Sequence, residues 1–315
     1  MSTGRVMEPF VLPLPNNSVV AGIHRIPPSS PSNPKYRPLV VGLHGATYDC
    51  HYFDANAKHS ASIASDAFGV PFVAIDRPCY GGTGSFLPVP EGSSFDKETG
   101  VWLHEHILPA LWAKFGSPNG ATCIVLFAHS LGAMGGIVAA ALHAREQEHA
   151  PAYPLAGLII SGLGTRQHAS MKHATPPAVP PEEVTRTPEE KDALMFRPGT
   201  VDPAIVKLTA DLNRPMPYAE VLGLGAWRQT WRDRWAAHVR VPVMFALVEL
   251  ECFWEPTEEH LRECAAAFCA SARVDASLIG GAPHCVELSH WSQGWYARGF
   301  GFAMECAASF AAGMP

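Results

Sequence analysis

The feature that most constrains the fold of this chain is a series of short, almost continuously apolar runs. The first three are Leu39–Leu43 (LVVGL), Val70–Ile75 (VPFVAI) and Cys123–Phe127 (CIVLF). Strands that are buried on both faces of a parallel sheet have this pattern. Four further strands are expected at Val19–Ile26, Leu155–Ile160, Val241–Val248 and Arg273–Ile279.

Helical patterns separate these runs. Ser130–Gln147 is rich in alanine, which is the strongest helix former. Thr99–Phe115 has apolar residues at helical spacing, with Thr99 as a possible cap and Pro109 as a kink, and a closing helix is expected at about His290–Ala311. Strands that alternate with helices indicate an α/β fold, with a mostly parallel central sheet and helices on both faces.

Composition and charge exclude several classes of protein. Of the 315 residues, 47% are apolar and 17% are charged, which suits a large buried core and excludes wholesale disorder. The 29 acidic and 23 basic residues give a formal net charge of −6, which argues against a dedicated nucleic-acid or anionic-membrane binder. No apolar run approaches the roughly 20 residues of a membrane-spanning helix.

The amino terminus and the cysteines predict the cellular location. The opening MSTGRVMEPFVLPLP lacks the basic region and the apolar segment of a signal peptide. The eight cysteines form no CxxC pair and show no Cys/His spacing typical of zinc, so they are interpreted as small buried hydrophobes. We therefore expect a cytoplasmic protein without a metal site.

One long segment interrupts the alternation. Between Gly162 and about Ala226 there is no strand-like run, and prolines recur throughout. Short helices are expected at Glu189–Met195 and Pro203–Asn213. Because a connection of this length is far outside ordinary loops, we expect an inserted lid at 163–226 and one core formed by 1–162 and 227–315. A disordered linker is the alternative.

The stretch CIVLFAHSLGAMGG indicates chemistry. In it a buried strand runs into the small-residue turn AHSLG, whose serine is Ser130, and a helix follows. A serine at such a junction is exposed at the carboxyl edge of the sheet, and the residues two positions away must be small because the turn is tight. The helix amino terminus places N–H groups beside the hydroxyl, where negative charge would develop. The alternative is that Ser130 only caps the helix.

This pattern resembles the α/β-hydrolase family, and the resemblance covers most of the chain. The family's turn usually reads G-x-S-x-G, and Ala128 replaces the first glycine here. The stretch Asp76–Gly84 (DRPCYGGTG) looks like the family's D-x-x-G-x-G turn. The resemblance implies an α/β-hydrolase fold in which Ser130 is the nucleophile.

The resemblance also implies an oxyanion hole. His44-Gly45 ends the LVVGL strand, and in the family such a turn presents a backbone N–H to the oxyanion. This implies the N–H of Ala46, or of Thr47 if the loop is shifted. The N–H of Leu131 would be the second donor.

A serine nucleophile needs a base that a further group orients. The chain has 15 histidines, so residue type alone decides nothing. His284 follows the last strand and precedes the final helix, which is where the family carries its base. His129 adjoins Ser130 in sequence, but neighbouring side chains diverge on a sharp turn, and His290 is expected at the start of the closing helix. We therefore expect His284 to be the base.

The family order of serine, acid and histidine places the acid after Val241–Val248. Many relatives read G-x-x-D there, and Glu251 occupies the position of the aspartate. Glu249 is the main alternative. Some relatives carry the acid one strand earlier, but this chain has Ser161-Gly162 there, without a carboxylate. Glu251 is therefore the predicted acid.

Further residues are candidates for contact with a substrate. Trp227, Trp231 and Trp235 recur every four residues and share one helix face, so they are expected to pack that helix onto the core near the lid. A substrate-lining role is the alternative for Trp227 and Trp231. Thr47 and His129 are also candidates for contact with a substrate. A place in the pocket wall and simple loop packing are both open for the residues just after the oxyanion turn, namely Tyr48, Asp49, His51, Tyr52 and Phe53.

These residues together imply a serine hydrolase that cleaves an ester, lactone or thioester of a small, fairly apolar molecule, without a metal or organic cofactor. The same three side chains could instead serve acyl transfer, lactonisation or a lyase reaction. From a different class, a ligand-binding protein with little turnover remains open, because a fold does not determine a function. The oligomeric state is not predicted.

Overall fold

An eight-stranded sheet forms the centre of the molecule. The structure of the protein is a computed structural model that describes residues 6–28, 35–146, 151–171 and 181–314. In chain order the strands are β1 (Glu8–Pro13), β2 (Val19–Arg25), β3 (Pro38–Leu43), β4 (Phe72–Ile75), β5 (Cys123–His129), β6 (Leu155–Ser161), β7 (Val243–Leu250) and β8 (Val274–Pro283). They lie side by side in the order β1-β2-β4-β3-β5-β6-β7-β8.

The sheet is mostly parallel, as the sequence predicts. The six strands from β4 to β8 in this order run parallel to one another. Only β1 and β2 at one edge are antiparallel. Because these strands are parallel, the carboxyl ends of β3, β5, β7 and β8 lie at the same edge of the sheet.

Successive residues of the central strands enter two separate cores, because their side chains point to opposite faces. In β3, Leu39 and Val41 lie in one core and Val40 lies in the other.

The α-helices are Ser62–Phe68, Phe95–Trp102, Leu108–Leu111, Gly132–Arg145, Pro188–Met195, Pro203–Val206, Thr209–Leu212, Tyr218–Arg234, Glu258–Ala266 and Ser292–Ala311. Helices cover both faces, which confirms the predicted fold class. Within the described ranges, no helix combines the length and apolarity that a membrane crossing needs.

The helical region predicted at Thr99–Phe115 begins earlier than expected and contains two π-helical turns. It starts at Phe95, and the Thr99 hydroxyl donates a hydrogen bond to the Phe95 carbonyl (2.8 Å), so Thr99 is an interior residue and the predicted cap is wrong. Pro109 lacks an N–H donor, and π-helical turns at Leu103–Ile107 and Trp112–Gly116 flank the turn that contains it.

The segment 163–226, which we call the inserted segment, lies between β6 and β7. Two-residue strands at Glu183–Val184 and Met216–Pro217 pair with each other, so the prediction of no strand is wrong in this detail. Ile205 and Leu212 are buried in one of the cores, which contradicts a disordered linker for the described part of the segment. The predicted boundary at residue 226 falls inside the helix Tyr218–Arg234. Three of the prolines that suggested a break, Pro176, Pro177 and Pro180, lie outside the described residues.

Candidate active site

Three side chains from three strand ends form one hydrogen-bonded chain. Ser130 follows β5, Glu251 follows β7 and His284 follows β8. The Ser130 Oγ lies 3.0 Å from the His284 Nε2, and the His284 Nδ1 lies 2.8 Å from the Glu251 Oε2. All three side chains are more than nine-tenths buried. These are the residues that the sequence singled out.

Ser130 occupies a strained turn between β5 and the helix Gly132–Arg145. Its φ is +50°, a left-handed value that side chains rarely adopt. The turn is held closely: the Ser130 N–H donates to the Ser161 carbonyl (2.8 Å), and a Cβ added to Gly132 would lie 2.4 Å from the His44 carbonyl oxygen. This packing explains why position 132 must be glycine.

Backbone hydrogen bonds to one carboxylate oxygen of Glu251 hold the side chain in place, and the other oxygen contacts the histidine. Its Oε1 accepts hydrogen bonds from the N–H groups of Cys252 (2.8 Å) and Phe253 (3.0 Å), which leaves Oε2 for His284. Glu249, the alternative acid, is exposed, and its Oε2 accepts from the Gly281 N–H (2.7 Å). The structure therefore places Glu251, and not Glu249, against the imidazole.

The two other candidate bases are engaged elsewhere. His290 is exposed, and its backbone N–H donates to the Thr200 carbonyl (3.0 Å), whereas the ring nitrogen nearest to the Ser130 Oγ belongs to His284. The His129 ring lies 4.9 Å from the His284 ring between centroids, but its Nδ1 lies 2.9 Å from the Ser161 Oγ. Burial, with the nearby His284, lowers the pKa of His129 well below its usual value, so this imidazole is neutral.

Glu287 forms a polar network behind His129 that the sequence did not indicate. The side chain is fully buried and accepts hydrogen bonds from Tyr52 (2.6 Å), Ser161 (2.8 Å) and the Trp295 indole (2.9 Å). Burial raises the pKa of the Glu287 carboxyl above its usual value. No sequence pattern distinguishes this glutamate from a surface glutamate, since its partners come from distant parts of the chain.

The turn after β3 lies against the serine. A Cβ added to Gly45 would lie 3.0 Å from the Ser130 Cβ, so a side chain there would push the two segments apart by a few tenths of an ångström. Ala46 and Leu131 both line the cavity beside Ser130. Neither amide N–H has a hydrogen-bond acceptor among the residues that the structure describes. Both donors are therefore free for a ligand atom next to the serine.

His44 connects this turn to the loop after β4. Its Nδ1 lies 2.7 Å from the Gly45 carbonyl oxygen, and its Nε2 accepts from the Arg77 N–H (3.1 Å). Burial, with the Arg77 charge, lowers the pKa of His44 to about 3. The imidazole is thus neutral and its contacts assign the proton to Nδ1.

A cavity of about 170 Å³ opens beside Ser130 and His284. Its wall includes the predicted contact residues Thr47, Tyr48 and His129. The sequence analysis did not identify the rest of the wall, which comprises Gln167, Met171, Arg186, Met195, Met216, Val221, Leu224, Phe253 and Trp254. Phe253 and Trp254 could have been found, since they lie two and three residues after Glu251.

The structure does not place Trp227 and Trp231 in this wall. Both are buried in the core, and their rings stack with centroids 6.1 Å apart. The Trp231 indole donates to the Thr165 Oγ1 (3.1 Å). The helix thus presents these two rings to the core, as the packing prediction expects, and not to the cavity beside Ser130.

Asp49, Cys50 and His51 are close enough together to be considered as metal ligands. One donor atom from each lies within 4.8 Å of the others. The Asp49 carboxylate, however, already accepts from the Arg214 Nε (2.6 Å) and the His51 N–H (2.9 Å). A cation there would compete with the Arg214 ion pair, so the group is better explained as a loop contact.

The sequence of this chain matches a known family over most of its length. A model described as "Alpha/beta hydrolase family" matches residues 40–306. A search of curated protein sequences finds no significant match.

Three solved structures with a similar fold share 14–16% sequence identity with this chain. A thermophilic esterase from Thermogutta terrifontis has a TM-score of 0.58 at 16% identity, covering 95% of this chain and 99% of that one. A monoacylglycerol lipase from Paleococcus ferrophilus has a TM-score of 0.57 at 14% identity, covering 86% and 96%. The N-acyl homoserine lactonase AidH has a TM-score of 0.60 at 16% identity, covering 96% and 98%. At these identities the likeness shows the fold.

Proposed function

Because this chain belongs to the alpha/beta hydrolase family, we propose that it is a serine hydrolase that cleaves an ester, lactone or thioester through Ser130, His284 and Glu251. The observation that carries the proposal is the hydrogen-bonded chain from the Ser130 Oγ through His284 to Glu251, at 3.0 and 2.8 Å. Such a chain is what a serine needs for activation, because its hydroxyl is a weak nucleophile at neutral pH.

The first half of the proposed reaction transfers the acyl group to the enzyme. The Ser130 Oγ attacks the carbonyl carbon while the His284 Nε2 takes its proton, and Glu251 stabilises the resulting imidazolium through Nδ1. The amides of Ala46 and Leu131 donate to the tetrahedral oxyanion. The intermediate collapses, the leaving oxygen or sulfur takes the proton from His284, and an acyl-serine remains.

The second half returns the enzyme to its starting state. Water attacks the acyl-serine carbonyl and gives its proton to His284. The second tetrahedral intermediate collapses, Ser130 regains the proton, and the carboxylic acid leaves. Each proton that His284 takes is thus returned within the same half-reaction.

The cavity wall supports a small, fairly apolar substrate. The wall combines methionines from the inserted segment with two aromatic residues that come shortly after Glu251. It also contains one arginine, Arg186. Apolar walls with a few polar groups are typical of sites for small molecules. We propose that the inserted segment acts as the lid of this site. Neighbours described as an esterase, a lactonase and a lipase support the same substrate class.

Hydrolysis of p-nitrophenyl butyrate by the wild type, Ser130→Ala and His284→Ala tests the proposal. We expect turnover by the wild type and a loss of at least about 1,000-fold in kcat/KM in each variant. Activity that survives Ser130→Ala would refute the nucleophile. Acyl transfer to an added alcohol in place of water would favour the transferase alternative, and tight ligand binding without turnover would favour a binding protein.

A further inference from the structure

A buried lysine of the inserted segment contacts the turn that follows β3. Lys191, on the helix Pro188–Met195, has no exposed surface. Its Nζ donates to the carbonyl oxygens of Thr47 (2.7 Å) and Leu212 (2.7 Å) and lies 3.5 Å from the centroid of the Tyr48 ring. These three acceptors match the three donors of an ammonium group.

The turn is held at the same point by a second contact. The Thr47 carbonyl also accepts from the Arg214 N–H (3.0 Å), and the Arg214 Nε donates to Asp49 (2.6 Å). Thr47 itself has a φ of +64°. A threonine persists in this left-handed conformation only where the surrounding structure holds it. The inserted segment therefore determines the shape of the turn at Thr47.

We propose that Lys191 is a positioning residue that fixes the direction of the Ala46 N–H by holding the carbonyl of the next residue, Thr47. This inference rests on the proposed function, in which the Ala46 N–H stabilises the oxyanion. A donor that is fixed in advance stabilises the transition state without reorganisation. A turn that loses this anchor presents the same donor at the wrong distance or angle.

The protonation state of Lys191 does not decide the contact. Burial lowers its pKa to about 7. The charged or titratable groups near it are Asp192 on its own helix and, from other elements, Tyr48, His44, Asp49, Cys285 and Arg214. A neutral amine still has two N–H donors for the two carbonyl oxygens. The anchor is thus the pair of hydrogen bonds, which a methionine of similar length cannot make.

The test compares Lys191→Met with the wild type in kcat and KM for p-nitrophenyl butyrate and in the Ki of a trifluoromethyl ketone, whose adduct with the serine carries an oxyanion. Rates are divided by the fraction of active serine, titrated with a fluorophosphonate. We expect kcat to fall by about 10- to 100-fold with KM within threefold, and Ki to rise by the same factor as kcat/KM falls.

Thr209→Val is the matched control. It removes the hydrogen bond from the Thr209 Oγ1 to Asp192 (2.8 Å), which lies in the same segment but does not contact the turn. We expect kcat and Ki to stay within twofold of the wild type. If this variant loses as much as Lys191→Met, the effect belongs to the stability of the segment and the inference is overturned.

A second substitution guards against misfolding, because Lys191→Met leaves the buried Leu212 carbonyl without a donor and the Thr47 carbonyl with only the Arg214 N–H. Lys191→Gln retains an amide donor on a shorter side chain, and we expect it to fall between the wild type and Lys191→Met in both kcat and Ki. If the wild type is active and folded Lys191→Met has unchanged kcat and Ki, the role of Lys191 is overturned and the proposed function stands. An inactive wild type would refute the proposed function instead.

Discussion

Glu251 and Glu249 differ at the residue scale in what their oxygens contact. Glu251 is buried and contacts His284, whereas Glu249 is exposed and contacts a backbone N–H. We therefore expect Glu251→Gln to lower kcat/KM by about 1,000-fold or more, because the amide cannot stabilise the imidazolium. Glu249→Gln should change kcat/KM less than threefold. Steady-state kinetics of the two variants would reassign the acid if the order were reversed.

Lys191 also makes a residue-scale prediction for stability. Burial lowers its pKa from 10.5 to about 7, so the unfolded state binds more protons between these values. Stability must then rise with pH across this window, by at most about 1.4 kcal/mol per pH unit. Urea unfolding at pH 7, 8 and 9 should show the wild type gaining on Lys191→Met as pH rises. A constant difference between the two proteins would contradict this prediction.

At the scale of elements, a buried ion pair joins the helix Tyr218–Arg234 to the loop after β4. The Arg77 Nη1 lies 2.6 Å from the Glu220 Oε1, both side chains are almost fully buried, and the Tyr80 hydroxyl also donates to Glu220. The backbone N–H of Arg77 contacts His44. This pair therefore connects the helix to the turn beside Ser130.

We expect Glu220→Ala to lower the free energy of unfolding by about 3–5 kcal/mol, because it leaves the Arg77 charge buried without a partner. Asp233→Ala on the same helix is the control, since Asp233 is exposed and should change stability by less than about 0.5 kcal/mol. Urea denaturation measures both. Equal losses in the two variants would contradict the role of the ion pair.

The central elements could be predicted from the sequence because burial on both faces leaves a strong signal. The runs that became β3, β5 and β6 were identified with boundaries correct within about two residues. β1 was missed, since its residues are exposed or half-buried at the sheet edge. The expected end of the lid at residue 226 falls inside the helix Tyr218–Arg234, because the extent of this helix depends on packing and not on a local break.

Some residues of the candidate site could likewise be predicted from the sequence, and others could not. Ser130, Glu251 and His284 could be identified because each follows a recognisable strand, and parallel strands bring their carboxyl ends together. Lys191 and the methionines of the wall could not, because their position depends on how the inserted segment folds onto the core. Glu287 has the same difficulty, since only tertiary structure reveals that it is buried.

At the scale of the whole molecule, the cavity is formed between two parts of the chain. The core contributes Ser130 and His284, and the inserted segment with its following helix contributes residues such as Met195 and Leu224. The choice of substrate is therefore expected to depend on the inserted segment, while the chemistry depends on the core.

A pair of substitutions on one helix tests this division. Leu224 lines the cavity, whereas Leu222 is 56% exposed. We expect Leu224→Trp to lower kcat/KM for p-nitrophenyl hexanoate about tenfold relative to p-nitrophenyl acetate, because the indole fills space that a longer acyl chain needs. Leu222→Trp should leave that ratio unchanged. Similar ratios in both variants would show that the segment does not limit the acyl chain.

The central claim is that Ser130 is a nucleophile activated by His284. Mass spectrometry of the protein after reaction with a fluorophosphonate tests it most directly. We expect one adduct on the peptide that contains Ser130, no adduct in Ser130→Ala, and labelling at least about 100-fold slower in His284→Ala. An adduct on another residue, or labelling that persists in Ser130→Ala, would contradict the claim.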